Sequence, residues 1–168
     1  RLREITAYTL YMLFRPLWQR QKNWVVYEKF CKTAQDNSYY FFKYCMEHLP
    51  EKERRHIYYI MDPREPDYKN VAGYGRQVVP FMSLKHMLLS LSMKICISSD
   101  STSHLYVWRS KPSIVRRAIK QKEELFLQHG VTAMKRVDQL FGKNGSSPMT
   151  YFVTCSRPEH DIVVREFD

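Results

Sequence analysis

The chain has 168 residues, with 27 Lys and Arg against 17 Asp and Glu, for a formal net charge of +10. That length fits one domain able to bury about two thirds of its unfolded surface, and a hydrophobic share of 44% with 14% aromatic residues excludes a disordered chain. The positive excess points to an anionic partner, whether nucleic acid, a phosphate-rich polymer or an acidic bilayer surface, without choosing among them.

Residues 1–22 set Leu2, Ile5, Tyr8, Leu10, Leu13, Phe14 and Trp18 among Arg1, Arg3, Arg15, Arg20 and Lys22, with Pro16 interrupting. This basic amphipathic lead segment reads either as a membrane-surface anchor drawn to acidic lipid or as a helix packed on the core. Trp24-Val25-Val26-Tyr27 suits a buried strand, and Asp36-Asn37-Ser38 offers capping groups for a helix over 39–48 that Pro50 ends. Further strands are predicted over 56–60 and 77–80, and a helix over 83–93 leads into the strand Ile95-Cys96-Ile97-Ser98. A polar loop over 99–104 follows, then a helix over 113–122. Glu124-Leu125-Phe126-Leu127 is expected to form a strand reaching His129, followed by a short helix from Val131 and a Gly/Ser/Pro loop over 142–148. Tyr151-Phe152-Val153-Thr154 closes the set of strands. Ser156 with Glu159 forms a capping box, with Pro158 in the first turn of a helix running to Phe167.

Six short strands alternating with helices predict an α/β domain with a Rossmann-like parallel sheet flanked by helices. Neither a Gly-x-Gly-x-x-Gly nor a phosphate-binding Gly-Lys-Ser/Thr loop opens a helix, so an ordinary dinucleotide or ATP site is not expected. Cys31, Cys45, Cys96 and Cys155 are widely separated, which reads as reduced and mostly buried thiols of a cytosolic protein. The six histidines show no ligand spacing, so no metal is expected. No stretch approaches the ~18 apolar residues that cross a bilayer. A chain that opens on arginine and stops directly after a helical pattern is expected to be a piece of a longer protein.

The junction Gln128-His129-Gly130-Val131-Thr132-Ala133-Met134-Lys135 carries the functional reading. In an open α/β sheet, ligands bind beyond the carboxyl ends of the strands, where rigid backbone holds a side chain toward solvent. An imidazole there can take a proton from a hydroxyl, Gly130 leaves room for a substrate against the backbone, and Lys135 can offset phosphate charge. The same pattern also suits a plain turn. Ser99, Asp100 and Ser101 follow a strand into the same crevice edge, where they either hold acceptor phosphate or serve as turn and capping residues. Arg109, Lys111, Arg116, Arg117, Lys120 and Lys122 either track a polyanionic chain or form a solvated helix face.

Trp24-Val25-Val26-Tyr27-Glu28-Lys29-Phe30, Asp36-Asn37-Ser38, and above all Gln128-His129-Gly130 with Lys135 resemble the CDP-glycerol glycerophosphotransferase family, the teichoic acid polymerases and primases of bacterial cell-wall synthesis. The likeness runs from about Asn23 to the end. It departs from the family where Gln128 stands for a tryptophan and Val131-Thr132-Ala133 for a Thr-Pro step. The resemblance implies a two-domain GT-B enzyme, with 23–168 as its acceptor-side domain and a donor-binding domain beyond Asp168. It implies that a hydroxyl of a lipid-linked or polymeric polyol-phosphate acceptor attacks the β-phosphorus of CDP-glycerol, or a related CDP-polyol, and expels CMP. His129 would then be the catalytic base, with Gly130, Lys135, Ser99, Asp100 and Ser101 at the substrate. No cofactor is implied, and the location would be cytoplasmic, at the inner face of the bacterial membrane with its anionic surface. Two other classes stay open: a GT-B nucleotide-sugar transferase using the same histidine, and a non-enzymatic domain binding a polyanion such as nucleic acid. Against nucleic acid, the aromatic residues fall within apolar runs and no RNA-binding signature is present.

Overall fold

A computed structural model describes residues 2–107, 113–130, 138–145 and 147–167. Two helices come first, α1 (Leu2–Leu13) and α2 (Arg15–Arg20), followed by β1 (Trp24–Val26) and α3 (Asn37–His48). Next are α4 (Glu51–Arg54), β2 (Ile57–Met61), α5 (Tyr68–Val71), β3 (Val78–Pro80), α6 (Leu84–Ser92) and β4 (Ile95–Ser98). The remainder is α7 (Ile114–Ile119), β5 (Glu123–Phe126), α8 (Asp138–Phe141), β6 (Tyr151–Phe152) and α9 (Arg157–Glu166). The helix expected from Val131 lies outside the described residues.

The strands form one sheet in the order β3-β2-β1-β4-β5-β6, every pairing parallel. A parallel sheet needs cover on both faces, and the side chains alternate to supply it. Val25, Ile60, Val79 and Cys96 pack on one side with Ala7 and Tyr11 of α1, with α6 and with α7. Val26, Tyr59, Met61, Val78 and Ile97 face the other way, against Phe42, Cys45 and Met46 of α3. Val25, Val26 and Ile97 are fully buried, and each contributes about 1.5–3 kcal/mol through that burial.

Local chemistry explains the ends. Ser83 and Ser113 each accept from the backbone N–H three residues on, capping α6 and α7. Leu49 is extended ahead of Pro50 and closes α3. The helix expected over 113–122 stops at Ile119, because the chain turns at 120–122 to enter β5. The expected capping box is half formed: Ser156 accepts from Glu159 N at 3.4 Å, but the Glu159 carboxylate accepts from Cys155 N at 2.8 Å, one residue before the cap.

The lead segment joins the core. Glu4, 8% exposed, accepts from Tyr106 Oη at 2.8 Å, Ser113 Oγ at 3.0 Å and Ile114 N at 3.1 Å, which fastens α1 to the start of α7. The opposite side of the segment leaves Leu2, Ile5, Met12, Leu13, Phe14 and Leu17 exposed. Among the described residues no helix is long and apolar enough to cross a membrane. Cys31, Cys45 and Cys96 are buried free thiols, whereas Cys155 is exposed.

Candidate active site

The strand order reverses between β1 and β4, and in such sheets the crevice at the carboxyl ends of that pair is where ligands enter. Three segments meet there: the stretch from β1 to α3, the loop after β4, and the turn after β5. β5 stops at Phe126 rather than running to His129. Leu127 N still donates to Ser98 O at 2.9 Å, and Gln128 then turns into the left-handed region at φ 63°. That conformation costs a residue with a Cβ about 1–2 kcal/mol. Three hydrogen bonds hold it. Gln128 Nε2 donates to Val153 O at 2.8 Å and Glu159 Oε1 at 2.9 Å, and Gln128 O accepts from Asn37 Nδ2 at 2.7 Å. Gln128 is 5% exposed, so it is a buried brace, and the residue after it swings outward.

That residue is His129, whose side chain is 55% exposed. Its Nδ1 bonds Asp36 Oδ2, and its Nε2 lies 3.5 Å from Asp100 Oδ1. Asp36 is itself fixed from behind. Its other oxygen accepts from Asn37 N at 2.7 Å, and its own N–H donates to Glu28 Oε1 at 2.9 Å. Glu28, 1% exposed, also accepts from Gln35 N at 3.1 Å and Tyr39 N at 2.8 Å, so one buried carboxylate organises the turn that presents Asp36.

Asp100 is clamped from the sheet. Its N–H donates to Ser98 Oγ at 2.9 Å, and Tyr27 Oη donates to its carbonyl at 3.3 Å. His104 Nδ1 sits 3.1 Å from Asp100 Oδ1, and the Phe30 ring packs on the His104 ring with centroids 3.9 Å apart. Burial pushes the Asp100 carboxyl up, yet the bond and charge of His104, then the charge of His129, outweigh it and hold the group below its ordinary value. Asp100 Oδ2 is buried without a hydrogen-bond partner among the described residues.

In the tautomer with Nδ1–H donating to Asp36, Nε2 carries the lone pair at the crevice edge, 3.5 Å from Asp100 Oδ1. A hydroxyl placed there can give up its proton, and the carboxylates on either side stabilise the imidazolium that forms. A Cβ added to Gly130 would meet nothing within 4 Å, which leaves open space beside the ring. Among the described residues no three of His, Cys, Asp and Glu are arranged to hold a metal.

Of the residues singled out from sequence, His129, Gly130 and Asp100 come together at this edge. Ser99 is 1% exposed, its N–H donating to Ser38 Oγ at 2.9 Å and its hydroxyl 3.1 Å from the same atom. Ser101 Oγ lies 2.6 Å from Ser103 Oγ. Lys135, Arg109 and Lys111 lie outside the described residues. Sequence reasoning assigned Asp36 to helix capping alone and passed over His104. A partner 93 residues away in the chain leaves no local pattern, and the only clue was that Asp36 follows β1 into the same crevice.

No protein-family model matches the chain. The chain is similar to the Minor teichoic acid biosynthesis protein GgaB of Bacillus subtilis (strain 168), 28% identical over 155 residues. The match covers 89% of this chain and 16% of that protein, so the chain spans about a sixth of the length of this relative.

Proposed function

We propose that this chain is the acceptor-side domain of a GT-B transferase of teichoic acid synthesis, moving a polyol phosphate from a CDP-activated donor to a hydroxyl of a teichoic-acid-type acceptor. The observation that carries the reading is His129: a half-exposed imidazole in the turn after β5, gripped at Nδ1 by Asp36 with Nε2 free of that bond. The similarity to a teichoic acid biosynthesis protein supports the pathway, and the likeness around His129 and Gly130 supports the donor class.

In the proposed reaction the acceptor oxygen attacks the β-phosphorus of CDP-glycerol. A new P–O bond forms, the bond to the α-phosphate oxygen breaks, and CMP leaves with that electron pair. His129 Nε2 receives the hydroxyl proton. Such transfers depend on in-line placement and charge neutralisation, to which a positioned base adds. Donor recognition belongs to a second domain in this proposal, and the working site is the cytoplasmic face of the membrane, where lipid-linked acceptors would be presented.

The experiment is CMP release by the full-length protein given CDP-glycerol, CDP-ribitol or UDP-sugars, each with a lipid-linked polyol-phosphate acceptor. Acceptor-dependent CMP from a CDP-polyol is the expected result. UDP release from a sugar donor, with no CMP from either CDP-polyol, would overturn the reading.

A further inference from the structure

Next to the candidate active site, a cavity of about 410 Å³ lies among the loop after β4, α7 and the segment leading into β6. Its lining includes Ser101, Ser103, Arg116, Lys120, Lys122 and Glu124. Ser101 directly follows Asp100, the residue facing His129 Nε2, so the cavity adjoins the crevice through a single peptide link.

Two lysines of the cavity lining, Lys120 and Lys122, have no counter-charge among the described residues. Glu124 is the one acid in its described lining, and its carboxyl is held mainly in the protonated form at neutral pH. Burial pushes its carboxyl from an ordinary 4.5 up to about 8, against the lowering effects of bonds from the Tyr27 side chain and the Thr102 backbone. Glu124 is 4% exposed, and its Oε1 has no hydrogen-bond partner among the described residues. Neither Lys120 nor Lys122 makes an ion pair among the described residues. Lys122 is half-buried, and burial pushes its ammonium below the ordinary value. An ammonium taken out of water without a counter-charge is unfavourable, and an entering oxyanion removes that cost.

We propose that this cavity is a subsite for a phosphodiester of the polyol-phosphate acceptor, held by Lys120 and Lys122, with the remaining proton of the Ser101–Ser103 hydroxyl pair donated to one of its oxygens. The inference rests on the acceptor-side reading above. A phosphodiester spreads one charge over two non-bridging oxygens, and lysines answer it as point charges with several donors, without demanding one fixed orientation. Such a site holds a chain in register with the base while letting it slide between additions.

The test is a titration of the 15N-labelled 168-residue chain with glycerophosphoglycerol, a minimal phosphodiester between two glycerols, alongside glycerol and inorganic phosphate. Amide shifts at 101–103 and 120–124 should saturate with the diester and stay still with glycerol. The double variant Lys120→Ser with Lys122→Ser should bind at least about tenfold more weakly with an unchanged circular dichroism spectrum. The single variant Lys120→Ser, at an exposed position, gives the same direction if the double variant fails to fold. Shifts confined to other residues, a response only to inorganic phosphate, or undiminished binding in a folded variant would overturn the proposal. The titration reads no CMP, so the two proposals fail separately. Binding without transfer would sink the transferase reading, and transfer without binding here would sink the subsite.

Discussion

Replacing Glu124 with glutamine keeps the size of a buried side chain and removes its titration. The wild-type carboxyl ionises near 4.5 ordinarily and holds its proton to about 8 in the fold. Its folded value is raised, so its contribution to stability is fully present below 4.5 and is lost as pH rises toward 8. Each pH unit across that window costs the folded state about 1.4 kcal/mol. The loss is therefore about 3 kcal/mol at pH 7 and about 5 kcal/mol once the folded group ionises. Glu124→Gln carries no such cost, so the variant should match wild type near pH 4.5 and exceed it by about 3 kcal/mol at pH 7. For a chain of this size that is a rise in Tm of roughly 6–12 °C. Thermal melts by circular dichroism at pH 4.5, 6, 7 and 8.5 check it. A stability difference that does not grow with pH would refute the reasoning, because it would mean that Glu124 ionises in the fold much as it does in the unfolded chain.

Three further outcomes follow from the same geometry. Asp36→Asn keeps a good cap for α3 and removes the carboxylate that His129 Nδ1 bonds, so turnover should fall at least about tenfold while stability moves by less than about 1 kcal/mol; steady-state kinetics and melts on one sample separate the two. Glu4→Ala leaves Tyr106, Ser113 and Ile114 donating to nothing and should cost about 2–4 kcal/mol in urea unfolding. Gln128→Leu removes the bonds to Val153 O and Glu159 and should cost about 1–3 kcal/mol, with the His129 ring resonances shifting in NMR spectra as its brace is lost.

The fold was legible because its strands are short continuous apolar runs, as burial on both faces requires: Val25 and Val26, or Cys96 and Ile97, each divide between the two faces of the sheet. Cap residues such as Ser83 and Ser113 marked helix starts within a residue, since a side-chain oxygen satisfying a free N–H is a local matter. The short helices α4 and α5 were not foreseen. At four residues each, they carry no apolar stripe to read. At the candidate site, His129 and Asp100 stood out by their places after strand ends, whereas Asp36 read as a helix cap and the meeting of the three left no local sign. Asp36 and Asp100 reach the ring from two other loops, and their convergence is produced by the parallel crossovers that bring the ends of β1, β4 and β5 side by side.

The measurement closest to the central claim is CMP release by the full-length protein carrying His129→Ala, with and without added imidazole. Turnover should drop by roughly 100-fold to 10,000-fold with the fold unchanged, and imidazole entering the vacated space beside Gly130 should restore part of it. Full activity in a well-folded variant, independent of imidazole, would contradict the assignment of His129 as the base.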